Sequence, residues 1–272
     1  FGSEFESAFA GASTLIDTTQ TDMGQLQSQI LELSDKTGIA AADLSNSMYN
    51  ALSASVELGD NNANMMALLE SSSKLAKAGF TDIDTALTAT AKTMNAYGVS
   101  GEEAMSKIQK VLIQTQNKGI TTVGELGSVL AQVTPTAASF GVSFEQVGAA
   151  LANMTAQGTP TAQATTQLNS LIAELAKSGT TAANNLSKAA EGTKYAGMSF
   201  SDMMAAGVPL NDVLNLMGNY AAENSLSMID MFSSIEAGKA SLALSGKNSS
   251  VFTENLAAMS TETDVVGEAF DK

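Results

Sequence analysis

The sequence contains no histidine, cysteine, arginine or tryptophan. Without His or Cys there is no Ser-His-Asp triad, no thiolate nucleophile, no zinc centre of the usual ligand set and no disulfide framework. Lack of Cys fits a reducing compartment. Without Arg the bidentate fork that reads phosphates and guanine edges is missing, and all 13 basic residues are lysines. They face 28 carboxylates, giving a formal net charge of -15. Such a surface repels phosphate, so direct nucleic-acid binding by this segment is not expected. There is also no uninterrupted apolar run of about 18 residues, and no basic start leading into an apolar signal segment. The chain starts at Phe1 rather than Met and reads as a fragment. Gly2-Ser3-Glu4-Phe5 reads as a cloning scar, so residues 1–4, scar or frayed start, carry no weight in the fold.

What is present is the alphabet of helices. Of 272 residues 44% are hydrophobic but only 5% aromatic. The core must therefore be built from Ala, Leu, Val, Ile and 14 Met, a mixture that favours helices over sheets. The length suffices for one large or two modest domains.

Glycines punctuate the chain at Gly38, Gly59, Gly79, Gly98, Gly119, Gly141, Gly158 and Gly179, with helix-type apolar spacing between them. Gly79-Phe80-Thr81, Gly98-Val99-Ser100, Gly119-Ile120-Thr121 and Gly141-Val142-Ser143 each read as one helix end fused to the next start. Glycine takes the left-handed closing conformation without steric cost, the apolar residue folds back onto the last turn, and Ser or Thr caps the next helix. Capping-box spacing follows in Ser100 to Glu103, Thr122 to Glu125 and Ser143 to Gln146, and more weakly in Thr81 to Asp84 and Ser199 to Asp202. Gly158-Thr159-Pro160 opens the next turn.

Between these marks Phe144, Val147, Leu151 and Met154 line one helical face, as do Leu168, Leu171, Ile172 and Leu175, while Glu145, Gln146, Asn153 and Gln157 face away. Pro135 should kink or split the helix across 122–140. After Gly179 the spacing loosens, with Asn184-Asn185 and the stretch 246–250 the most loop-like points. The fold expected is all-α: a compact array of about ten or more short antiparallel helices joined by Gly-hydrophobic-Ser/Thr turns, without a sheet. Its halves would be 5–119 and 120–272, or one continuous domain.

Candidate chemistry is sparse. Ser245-Gly246-Lys247-Asn248 has some likeness to a phosphate-binding loop, but Ser241 and Asn248 occupy places that need Gly and Ser or Thr. Asp82 with Asp84, Glu102 with Glu103, and Asp17 with Asp22 could act as acid-base pairs, yet most sit in first helical turns, where the dipole favours negative charge. Met65-Met66, Met203-Met204, Met228 and Met231 read as core filling, or as an adaptable protein-binding groove. Gly148, Ala149-Ala150 and Ala137-Ala138 would let helices approach closely. No catalytic, metal or cofactor residue emerges.

Gly119-Ile120 through Glu125-Leu126, Pro135, GVSFEQVGAALANMTAQG from Gly141 and the stretch from Ala164 to Leu175 together resemble the core region of phage tail tape measure proteins. IEAGKASLALSGKNSSVFTENLAAMS from Ile235 and FESAFAGAS from Phe5 extend the resemblance over nearly the whole chain. It departs at Leu168-Asn169, where that family often has Leu-Arg, and at Lys177-Ser178-Gly179, where it has Pro. The resemblance implies a virion structural protein that fixes tail length during assembly in the host cytoplasm, occupies the tail interior and leaves ahead of DNA. Implied partners are further copies of itself, the tail tube, tail-tip or baseplate proteins and assembly chaperones; membrane contact is left open. The acidic, Arg-free composition fits a body that DNA must pass without sticking. A helical interaction protein of adhesion, secretion or flagellin-like type is the alternative, and a peptidoglycan-cleaving tail enzyme the third reading. As one extended helix the segment would measure roughly 400 Å. As a folded domain it would be about 50 Å across, the form the glycine punctuation favours.

Overall fold

A computed structural model describes residues 2–272. Among them are sixteen α-helices, four short 3-10 turns and no strand. The helices are α1 (Gly2–Ser13), α2 (Met23–Thr37), α3 (Ala41–Ser53), α4 (Ala63–Ala78), α5 (Ile83–Tyr97), α6 (Gly101–Lys118), α7 (Val123–Val129) and α8 (Thr134–Ser139). There follow α9 (Phe144–Ala156), α10 (Thr161–Ala176), α11 (Thr181–Ala190), α12 (Phe200–Ala205), α13 (Leu210–Glu223), α14 (Ile235–Leu244), α15 (Ser249–Met259) and α16 (Val265–Asp271). Gly2, Ser3 and Glu4 lie in α1, while Phe1 falls outside the described residues.

Each glycine interval holds one helix up to Gly119, as helix length and breaker spacing dictate. The next interval holds two, because Pro135 occupies the first turn of α8 and separates it from α7 through a 3-10 turn at Leu130–Gln132. Pro160 and Pro209 likewise stand at the N-caps of α10 and α13, where their missing N–H costs nothing. Asn184 and Asn185 are not in a loop. They lie inside α11, whose start is fixed by the Thr180 hydroxyl accepting from Ala183 N–H, and Asn185 donates to the Met231 carbonyl.

The chain divides into two compact units. The first comprises residues up to Ile113, Thr122–Ser128 and Asp264–Lys272. In it α1 packs on α3, α3 and α4 on α5, and α16 returns to α4. Leu26, Ile30, Leu44, Met48, Leu68, Leu69 and Leu87 form its sealed interior. α16 adds Val266 and the ring of Phe270, which lies 4.2 Å under the Lys77 ammonium.

The second unit comprises Gln114–Thr121 and Val129–Thr263. Its centre is α9, contacted by α8, α10, α14 and α15. Every residue from Phe144 to Thr155 except Glu145 is buried. The two-faced helix expected from the apolar stripe is thus enclosed all round, and Gln146 and Asn153 are inside with Val147 and Leu151. Gly148, Ala149, Ala150 and Ala152 make this possible, because small residues let neighbours close over the flanks that larger ones would hold open.

Candidate functional site

The residues singled out by pattern converge on α9 and the segments that clamp it. The Ser143 hydroxyl accepts from Gln146 N–H at 3.3 Å and caps α9. The reciprocal half of that capping box is replaced, since the Gln146 side-chain oxygen accepts from Leu210 N–H at 2.5 Å. Pro209 offers no side-chain cap to α13, so a buried amide from another helix satisfies one of its orphan donors. At the far end Asn153 donates to the Asn248 carbonyl at 3.1 Å and Gln157 to the Ala243 carbonyl at 2.8 Å, while Asn248 donates to Gln157 at 3.2 Å. These bonds hold the turn containing Gly246–Asn248 against α9. The loop that shared features with a phosphate site is therefore an amide-stitched helix connection.

Glycine serves two different purposes in the punctuation. Gly38, Gly98, Gly141, Gly158 and Gly179 have φ between 63° and 98°, the left-handed closing conformation. Gly79 and Gly119 do not. A Cβ at Gly79 would lie 2.5 Å from Val123 Cβ, and the left-handed residue is shifted to Phe80, with φ of 53°. A Cβ at Gly119 would lie 2.4 Å from Thr155 Oγ1 and 2.9 Å from Ala152 Cα, so Gly119 is where the chain presses on α9. Ile120 N–H donates to that same Thr155 hydroxyl at 3.1 Å.

The apolar residue after each glycine also differs from expectation. Val142 is buried, but Phe80 is 83% and Ile120 71% exposed, and Val99 is exposed as well. Folding back needs a vacant place on the preceding turn. At Gly79 and Gly119 that side is already filled by Val123 and by α9 respectively.

Thr122 and Glu125 form a reciprocal capping box at 3.1 Å in each direction, and Ser199 and Asp202 form another at 2.9 and 3.1 Å. Ser100 precedes Gly101, whose φ of 89° opens α6. The cap of α5 is Asp82 rather than Thr81, and Asp84 instead accepts from Asn50 at 2.6 Å. Asp17 accepts from Thr19 and Asp22 caps α2, while Glu103 pairs with Lys107. The candidate carboxylate pairs are thus spent largely on caps and surface contacts. Leu168, Leu171, Ile172 and Leu175 are buried on α10, and Met65, Met203, Met204, Met228 and Met231 are buried too.

Glu174 carried no sequence signal. Its carboxylate accepts from Ser233 N–H at 3.0 Å, Ser233 Oγ at 3.1 Å and Ser234 N–H at 2.9 Å, where α14 starts. Partial burial pushes this carboxyl up, but the hydrogen bonds from Ser234 and Ser233 outweigh it and hold it below the usual glutamate range. Sixty residues of sequence separation hid the pairing.

Among the described residues no three potential ligands form a metal cluster, and no helix is long and apolar enough to cross a membrane. An open groove of about 690 Å³ in the first unit runs between α1 and α3, lined by Glu4, Ser7, Gly11, Ala42, Asp43 and Tyr49. The geometry as a whole builds, braces and caps helices.

The family model described as phage-related minor tail protein matches residues 27–219, reaching into both units. A probable tape measure protein of Clostridium phage phiCD119 is 59% identical over 271 residues, 100% of this chain and 29% of that protein. A tape measure protein of Pneumococcus phage Dp-1 is 23% identical over 176 residues, 65% of this chain and 15% of that protein. The chain spans less than a third of the length of these curated relatives. No solved structure matches.

Proposed function

The chain belongs to the family of phage-related minor tail proteins, and on that premise we propose that it is a folded segment of a tape measure protein. The whole tape measure protein is the one that governs tail length and assembly and leaves ahead of the DNA. The observation that carries this reading is the 59% identity, along the whole chain, to a protein named as a probable tape measure protein. With family membership the adhesion, secretion or flagellin-like alternative falls away. The role is structural, with carboxylates used as caps rather than as an acid-base pair; incubation with cell-wall peptidoglycan should release no muropeptide, and release lost on a Glu→Gln change would restore the enzyme reading.

Its partners are further copies of itself, the tail tube, tail-tip or baseplate proteins and assembly chaperones. It works in the host cytoplasm during assembly and then in the interior of the tail. Helices closed by left-handed glycines and braced by buried amides favour a folded body over a continuous rod. Such a body contributes little to a ruler. Deleting the segment in frame and measuring tails in micrographs tests this. Shortening by the full extended-helix length, roughly 400 Å, would overturn the folded-body reading. Unchanged length with failed assembly or infection supports a docking or ejection role.

A further inference from the structure

The path of the chain through the first unit closes on itself. α1 leads in on α3, and α16, at the other end of the sequence, comes back onto α4 in the same unit. Val129–Thr263, which builds most of the second unit, therefore lies between two segments that both belong to the first, Thr122–Ser128 and Asp264–Lys272. The closing piece is slight. α16 has seven residues, about two turns, and Val266 is the one side chain it buries. Phe270 is half-buried and adds its ring face beneath the Lys77 ammonium, a contact of small worth at an exposed site. The cap of α16 is local, the Asp264 carboxylate accepting from Gly267 N–H at 3.0 Å. Just before it, Thr261 and Thr263 hydrogen-bond to each other in an exposed, irregular stretch.

We propose that α16 is a clasp with two settings. Docked on α4, it keeps both ends of the segment within the first unit and takes the second unit off the path between them. Released, it brings the second unit into line. The physical basis is which links carry a pull. While α16 is docked, tension between the two ends runs through the first unit alone, because that unit contains both. A pull from the C-terminal side meets α16 before any other element. One buried valine and one ring–ammonium contact hold it, so it opens before the sealed interior of either unit. The clasped span is no more than the width of the first unit, about 35 Å. Opening adds the width of the second, of similar size, and about 3.5 Å for each freed residue from Asp264 onward. The use of the clasp rests on the proposed tape measure role, where it gives one folded segment a short and a long span; the clasp itself is tested on the isolated chain.

The chain has no cysteine, so dyes placed through Ser3→Cys and Lys272→Cys report its span by energy transfer. Transfer should be high in the otherwise unaltered chain, and should change by less than about a tenth when residues 129–263 are replaced by a flexible Gly/Ser linker. Val266→Asp together with Phe270→Ala should lower it by about half or more, while circular dichroism shows no more helix lost than α16 contains. Glu268→Gln, at an exposed position of the same helix, should leave it unchanged. Hydrogen exchange needs no variant: amides of α16 should exchange at least about a hundredfold faster than those of α4 and α9. Exchange in α16 as slow as in α4 overturns the proposal. So does undiminished transfer in the double variant, or melting of the whole first unit along with α16. A linker chain whose first unit is folded but whose transfer is lost overturns it too, and if that chain does not fold, exchange and the double variant still decide. None of these results touches the tape measure reading, which stands or falls on the in-frame deletion.

Discussion

The two units share sealed apolar cores but place their polar contacts differently. In the first, charge is prominent: Lys36 lies 2.6 Å from Glu70, Lys74 reaches the same carboxylate at 3.6 Å, and Glu103 pairs with Lys107. Neutral amides work in both, with Gln109 donating to Ser72 and Thr90 and Asn62 to Gln29 in the first, but in the second Gln146, Asn153, Gln157 and Asn248 gather about one helix and tie α9 to those around it. The difference follows from geometry. A helix enclosed all round cannot carry charges without a heavy desolvation cost, whereas amides satisfy buried backbone groups at a modest one. The first unit's ion pairs lie at the surface, where their worth is small and depends on salt.

The largest expected break in this comparison is Leu151→Ala, which empties a fully buried site at the centre of α9. It should cost about 2–5 kcal/mol. Hydrogen exchange should show protection lost across α9, α10 and α15 while α4 and α5 keep theirs. Equal loss in α4 and α5 would mean that the units do not unfold separately. Next come the glycines. Gly79→Ala should cost about 1–3 kcal/mol in the first unit through collision with Val123, and Gly119→Ala a similar amount in the second through collision with Thr155 and the α9 backbone. Gly98→Ala, in open space at φ 63°, should cost only about 1–2 kcal/mol of left-handed strain. Thermal melts of the three variants rank them.

Gln146→Ala should cost about 1–3 kcal/mol, because Leu210 N–H is left buried without an acceptor, and the exchange rate at the start of α13 should rise first. The smallest effects separate pH from salt. The Lys36 ammonium, followed by Lys74, holds Glu70 below the usual glutamate range, and Glu174 is held low by Ser233 and Ser234 despite partial burial. Both folded values lie below the unfolded ones. Each contribution is therefore complete above the unfolded glutamate value and lost as pH falls through the lowered one. At neutral pH, about 1 M salt should weaken the Glu70 pairs by less than about 1 kcal/mol and leave the Glu174 hydrogen bonds intact. Denaturant midpoints of Glu70→Gln and Glu174→Gln, each with and without salt, check this.

Much of the architecture was legible because it is local. Helix ends at Gly38, Gly98, Gly141, Gly158 and Gly179, the split at Pro135 and the box at Thr122 and Glu125 all follow from backbone and capping chemistry within a few residues. The pattern misled where a neighbour decided the outcome. Gly79 and Gly119 look like the other glycines in sequence, yet Val123 and Thr155 set their role. Gln146 has the spacing of a self-capping residue, yet its oxygen serves a helix 64 positions away. Asn184 and Asn185 look like a turn but sit in a helix that Thr180 caps.

The sequence by itself determined an acidic, all-helical chain without the residues for common nucleophilic or zinc chemistry, because residue inventory, helix propensity and capping act over one or two turns. Only the tertiary structure decided that α9 lies at the centre of its unit, that Glu174 and Gln146 brace distant helix starts, and that α16 returns to α4. Those outcomes depend on which helices meet, and a side chain's burial and hydrogen-bond partners are set by the neighbour, which periodicity along one helix does not specify.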